Sequence, residues 1–218
     1  MSEFIVAIDG PAGSGKSSVS KQVANEIGFG YLDTGAAYRA LAWAVQNLPE
    51  FSLDRLEQVD LDKEFDYQIS LDPKSYRVSV GHTDVTAAIR DNAIAESVSK
   101  VAKLPFVRSF MKRLTQRLVE QHSAPGVVVE GRDITTVVFP DAQIRLLLTA
   151  SEEVRLKRRS AELSVATAQS LAKQVSERDK SDLKVVDFMT PAPGVELVDS
   201  SELNFEETVA AVRKLIGR

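Results

Sequence analysis

The 218-residue sequence contains no cysteine, which excludes disulfides, thiolate metal sites and cysteine nucleophiles. Histidine is nearly as scarce. His82 and His122 stand far apart without the spacing of metal ligands, and they read as ordinary surface residues. No apolar run approaches the roughly 20 residues that a membrane helix needs. The first short run, Phe4 to Ile8, ends at Asp9 and follows no basic segment, so it does not read as a signal peptide. The expectation is a cytoplasmic protein with no membrane partner. An excess of positive charge is also missing. A net charge of -4 gives the molecule no attraction for a polyanion, which argues against nucleic acid as a partner. The Asn-Lys-x-Asp motif by which GTPase switches read guanine does not occur.

What remains is the profile of a globular chain: 44% apolar and 27% charged residues, in a length that suits one α/β core with one or two small excursions. Phe4 to Ile8 is rich in β-branched residues and bounded by Asp9-Gly10-Pro11, as suits a strand buried on both faces. Val19, Val23, Ala24 and Ile27 recur at helical spacing from Ser17, and Gly28 offers a stop. A strand over Phe29–Leu32 and a helix over Gly35–Gln46 follow, so strands and helices alternate. Tyr67–Leu71 and Tyr76–Val80 both alternate with period two around Asp72-Pro73-Lys74-Ser75, predicting a hairpin with one wet face. Helices are expected over Ala87–Ala102 and Phe106–Gln121. Core strands are expected over Gly126–Glu130, Ile144–Leu148 and Val195–Val198, with a closing helix over Phe205–Ile216. Glu152–Leu163 and Val165–Lys180 are helical but charged, with little apolar face, and read as a mobile surface element. With no coiled coil or apolar interface stripe, a monomer is expected.

Gly10-Pro11-Ala12-Gly13-Ser14-Gly15-Lys16-Ser17 fits G-x-x-x-x-G-K-[ST] at every specified position, between an expected strand and an expected helix. With glycine at about 7% of residues, such a match arises by chance in about one chain in a hundred of this length. The glycines let the backbone turn its N–H groups toward phosphate oxygens, and the helix that follows adds its positive end. Lys16 reaches the β- and γ-phosphates, and the Ser17 hydroxyl suits Mg²⁺. The motif, with Ser18 beside it, therefore implies a nucleoside triphosphate, but it is shared by switches, motors and kinases.

Asp33-Thr34-Gly35-Ala36-Ala37-Tyr38-Arg39 follows the second strand, where Asp33 or Thr34 could equally be a helix cap. Glu130-Gly131-Arg132-Asp133 follows the third core strand, at the carboxyl end where such sheets bind ligands; a surface salt bridge is the alternative. With Asp84-Val85-Thr86, Ile89-Arg90 and Gly131-Arg132-Asp133-Ile134 through Val137-Val138-Phe139-Pro140-Asp141-Ala142, these stretches resemble bacterial cytidylate kinase, a P-loop nucleoside monophosphate kinase, over nearly the whole chain. The resemblance implies an α/β fold: a P-loop NTPase three-layer α/β/α core with a central parallel sheet, a small β-containing insertion for the monophosphate, and a helical lid. The implied division is core 1–48, insertion 49–86, core with acceptor-site helices 87–150, lid 151–180 and core 181–218. The implied reaction moves a phosphoryl group from ATP, with Mg²⁺, to CMP or dCMP. Kinases for another nucleoside monophosphate and nucleotide-driven switches are the competing readings.

Carried over residue by residue, the resemblance assigns Asp33, Thr34, Arg39, Ser99, Arg108, Arg132, Asp133 and Asp182 to the acceptor. Arg39 and Arg132 are expected on its phosphate, and Ser99, Arg108 and Asp133 on the cytosine edge. Lys16, Arg132, Asp133, Arg158 and Arg178 are expected in catalysis, with Arg155 and Arg159 also flanking the lid. Asp33 is expected to support the Mg²⁺ held by Ser17 through water. A phosphate acceptor, with a second pKa of about 6, is largely a dianion at neutral pH and needs cations rather than a general base. Two departures stand out. The family commonly has glycine where this chain has Thr135. After Asp182 it usually has an arginine three residues on, then Pro-Leu, where this chain has Val185 and Asp187-Phe188-Met189-Thr190-Pro191.

Overall fold

The computed structural model describes residues 4–162 and 187–217, without the side chains of 159–162. They form two compact units. One is drawn from the described residues of 4–32 and 123–217, the other from residues 33–122.

The first unit is built on a five-stranded sheet. Its strands are β1 (Phe4–Asp9), β2 (Gly30–Asp33), β6 (Gly126–Gly131), β7 (Ile144–Thr149) and β8 (Glu196–Asp199), in the order β2-β6-β1-β7-β8. The β1–β6, β1–β7 and β7–β8 pairings are parallel. A parallel sheet covered on both faces calls for unbroken apolar strands, and Val127, Val128, Val129, Leu146 and Leu148 are indeed fully buried. Helix α1 (Lys16–Ile27) buries Val19, Val23 and Ala24 and packs on β6 and on α7 (Phe205–Ile216). Gly28, at φ +71°, closes α1 as a left-handed cap. Asn204 and Glu207 form a reciprocal capping box at the start of α7. The β1–β6 register sets Ile8 against Glu130 and Asp9 against Gly131. The residues after β1 and after β6 therefore leave the sheet at the same, carboxyl edge.

The second unit is mostly helical. Helix α2 (Thr34–Asn47) is alanine-rich and buries Ala36, Ala37, Ala40, Leu41 and Ala44. It packs on α4 (Asn92–Ala102), on α5 (Pro105–Glu120) and on a small antiparallel sheet. That sheet is β3 (Tyr67–Ile69), β4 (Val78–Val80) and β5 (Thr83–Asp84). A single turn, α3 (Leu61–Glu64), precedes it. The expected hairpin is present, but its ladder is shorter and gains a third strand. Tyr76 lies outside the ladder, and its hydroxyl bonds to Asp33.

Helix α6 (Glu152–Glu162) matches the first charged stretch. Its first turns are not the mobile surface element expected from composition, because Arg155 is only 6% exposed and bonds to the phosphate loop. The second stretch, Val165–Lys180, lies outside the described residues. Among the described residues no helix is long and apolar enough to cross a membrane.

Candidate active site

The loop between β1 and α1 is held from three sides within the first unit. Gly13 and Gly15 adopt φ of +76° and +85°, which L side chains rarely reach. A Cβ on Gly13 would lie 2.5 Å from the Arg155 carbonyl oxygen, so the loop and α6 approach too closely for any side chain. Arg155 donates to the Ala12 carbonyl at 3.0 Å and Arg158 to the Ser14 carbonyl at 3.1 Å. Carbonyls drawn outward in this way favour peptide planes whose N–H groups face the other side. Gly15 is the N-cap of α1 and, having no side chain, cannot itself cap that helix. The positive end of α1 is thus not neutralised by a capping side chain. The Ser14 hydroxyl is buried and makes no hydrogen bond among the described residues.

At the end of β6, Glu130 is 2% exposed. Its Oε1 accepts from Ser17 Oγ at 2.6 Å and from Tyr31 OH at 3.2 Å, and its Oε2 lies 3.9 Å from Lys16 Nζ. Lys16 also donates to the Pro11 carbonyl at 3.4 Å. A carboxylate this deep survives only when paired and hydrogen-bonded, and here both conditions are met. The carboxylate beside Ser17 is therefore Glu130. The expectation names only Asp33 in support of Ser17; Glu130 is the carboxylate bonded to it directly. Sequence reasoning passed over Glu130, although a glutamate ending a valine run was a signal.

Asp9, the last residue of β1, is 3% exposed. Its carboxylate accepts from Ile134 N and Thr135 N at 2.8 Å each, and from Thr135 Oγ1 at 2.6 Å. Burial pushes its pKa up, and the bonds from Thr135 and Ile134 oppose that. Thr135, the departure from glycine, is thus part of a clasp that ties the segment after Gly131 to β1. That segment winds as a wide turn, Ile134–Val138, closed by bonds such as Val138 N to the Asp133 carbonyl. Arg132, half-buried, donates to the Gly10 carbonyl at 2.9 Å, and its guanidinium lies 4.4 Å from the centre of the Phe188 ring. Asp133 is half-buried at the start of the wide turn.

Arg158 reaches Ser200 as well, donating to its hydroxyl and its carbonyl at 2.9 Å each and to the Leu203 carbonyl at 3.3 Å. The arginine expected over a γ-phosphate is here a brace between the phosphate loop and the chain after β8. Arg178 and Asp182 lie outside the described residues, as do the Arg159 side chain and Val185.

Within the second unit, Asp33 caps α2 by accepting from Ala36 N at 3.1 Å. It also pairs with Arg39 at 2.6 Å and accepts from Tyr76 OH at 3.3 Å. The Arg90 guanidinium sits 5.3 Å from the Tyr76 ring centre. Burial first, and the Asp33 charge next, push the Tyr76 hydroxyl pKa well up, so it stays a donor. Tyr67 is pushed up too, chiefly by burial. The capping reading of Asp33 is correct, and the same carboxylate also orients Arg39. Thr34 is buried at the start of α2, while Ser99 on α4 and Arg108 on α5 are half-buried. Tyr76 and Arg90 were not singled out from sequence for this cluster.

Among the described residues no group of three or more His, Asp or Glu could hold a metal by itself.

The family model for cytidylate kinase matches residues 6–218. A cytidylate kinase from Cutibacterium acnes is 41% identical over 219 residues, spanning 99% of this chain and 96% of the relative. One from Streptomyces avermitilis is 38% identical over 213 residues, 97% of this chain and 92% of the relative. Among solved structures, TT1252 from Thermus thermophilus aligns over 100% of this chain and 98% of its own, with a TM-score of 0.51 at 19% identity. That likeness speaks to the α/β fold alone.

Proposed function

We propose, from the premise that the chain belongs to the cytidylate kinase family, that this enzyme moves the γ-phosphoryl group of ATP to CMP and dCMP with the help of Mg²⁺. The observation that carries the donor half is the phosphate loop itself. Its carbonyls are held by Arg155 and Arg158, its left-handed glycines set the turn, and its end opens α1. The Ser14 hydroxyl supplies a buried donor that a phosphate oxygen would satisfy. Lys16 adds a compact charge at the loop's rim.

The Ser17 hydroxyl and the Glu130 carboxylate, 2.6 Å apart, fit a hard cation that prefers oxygen ligands and takes the rest from phosphate and water. Bound there, Mg²⁺ would neutralise charge on the β- and γ-phosphates. Glu130 orients Ser17 and Lys16, and Tyr31 orients Glu130.

For the acceptor, Arg39 and Arg132 are assigned to the phosphate, since a planar guanidinium fork matches its oxygens. Asp33 fixes the orientation of Arg39. Thr34, Ser99, Arg108 and Asp133 are assigned to the nucleoside, with Asp182 from the same resemblance. No general base is required, because the attacking oxygen belongs to a phosphate dianion.

The reading is tested by supplying ATP and Mg²⁺ with CMP, dCMP, UMP and AMP side by side and measuring each diphosphate. CDP and dCDP should form fastest. Equal or greater rates with AMP would contradict the acceptor assignment. A requirement for a partner protein before any turnover would favour a switch instead.

A further inference from the structure

We propose that Phe188 is a positioning residue for Arg132, holding its guanidinium beside the phosphate loop so that its N–H groups meet the acceptor phosphate. This rests on the assignment of Arg132 to that phosphate. Phe188 is 1% exposed although it lies in an irregular segment between the lid and β8. The Arg132 guanidinium lies over its ring, 4.4 Å from the ring centre. A cation held over a ring is attracted by the ring while its N–H groups stay available to acceptors, and one of them already donates to the Gly10 carbonyl at 2.9 Å.

Both partners of the stack are fixed by their own surroundings. The Asp187 carboxylate accepts from Met189 N at 2.9 Å and Thr190 N at 3.1 Å, which sets the turn that carries Phe188. On the other side, the Asp9 clasp holds Ile134 and Thr135 just beyond Arg132. Arg145 on β7 joins the two segments, donating to the Thr135 carbonyl at 3.3 Å and the Pro193 carbonyl at 3.2 Å. The ring thus belongs to a frame that fixes one cation. It stands in the stretch where this chain departs from the family's Pro-Leu, so the departure carries a positioning group of its own.

The test is steady-state kinetics of Phe188→Leu, Phe188→Tyr, Arg132→Ala and the double variant Phe188→Leu/Arg132→Ala, with thermal melts to show that each is folded. A desolvated stack of this kind corresponds to about a tenfold effect. Phe188→Leu should raise the KM for CMP about tenfold and leave the KM for ATP within about twofold. Phe188→Tyr, which keeps the ring, should restore the wild-type KM for CMP. In the Arg132→Ala background, Phe188→Leu should add less than about twofold, because the ring acts through the missing guanidinium. The proposal is overturned if Phe188→Leu leaves the CMP KM unchanged, raises both KM values alike, or adds its full effect without Arg132. If the wild type makes CDP but Arg132→Ala keeps a wild-type CMP KM, the assignment of Arg132 falls and takes this proposal with it. A silent Phe188→Leu beside an impaired Arg132→Ala overturns the proposal alone.

Discussion

Replacing Arg158 with alanine separates two roles for one guanidinium. It donates to the Ser14 carbonyl at 3.1 Å, the Ser200 hydroxyl and carbonyl at 2.9 Å each, and the Leu203 carbonyl at 3.3 Å. A hydrogen bond from a charged donor contributes about 1.5–3 kcal/mol when well made. Two of these are long and the side chain is only half-buried, so about 1 kcal/mol each is a fair allowance. Water entering the space offsets part of the loss, leaving a net cost of about 3 kcal/mol. For a chain of this size that lowers the Tm by about 6–12 °C. Arg158→Lys keeps the charge but not the fork, and should recover only a minor part. Because one bond holds the Ser14 carbonyl, the KM for ATP should also rise about tenfold, while the KM for CMP moves less than about twofold. Calorimetry and steady-state kinetics on the same preparations provide the check. A Tm within about 2 °C of wild type, together with a hundredfold lower kcat, would refute the bracing argument and put Arg158 at the γ-phosphate.

Three further outcomes are expected. Glu130→Gln keeps an acceptor for Ser17 and Tyr31 but removes the charge facing Lys16. It should raise the Mg²⁺ concentration for half-maximal rate at least about tenfold, whereas Asp33→Asn should leave that concentration unchanged; the opposite pattern would return the cation's support to Asp33. Thr135→Gly removes the 2.6 Å bond to Asp9 and should cost about 1–3 kcal/mol in urea unfolding, since the Asp9 carboxylate stays buried. An unchanged urea midpoint would show that the hydroxyl is not needed. The Asp187 pKa is lowered, first by the bond from Met189 N. Its contribution to stability is therefore present above the ordinary carboxylate value of about 4 and is lost as pH falls through the lowered one. The stability gap between wild type and Asp187→Ala, a few tenths of a kcal/mol for so exposed a group, should close as pH falls below the ordinary carboxylate value of about 4. A gap that widens on acidification would reverse the sign of the argument.

Much of the core was legible because its signals are local. An apolar strand, a glycine loop, a lysine and a helix stop follow one another within residues 4–28, and each obeys a short-range rule. The hairpin was legible from its period, but the bond from the Tyr76 hydroxyl to Asp33 was not, because its partner is 43 residues away and no periodicity reveals it. The helix at Glu152 was misjudged for a related reason. Charge counts as solvent-facing in a pattern of polarity, yet Arg155 and Arg158 point their charge at backbone carbonyls, which the pattern cannot see. Phe188 is a single aromatic in an irregular stretch, so only the fold could show that it lies against Arg132. Glu130 was legible in principle, since an acid ending a buried strand requires a partner, but its partners Ser17 and Tyr31 are about 100 residues away in sequence.

The account stands most directly on CDP formation from CMP and labelled ATP by the wild type and by Lys16→Ala in parallel. The wild type should produce labelled CDP without any other protein. Lys16→Ala, folded by circular dichroism, should produce it at least about a hundredfold more slowly. Wild-type protein that labels no pyrimidine monophosphate, or a lysine variant that turns over as fast as wild type, would contradict it.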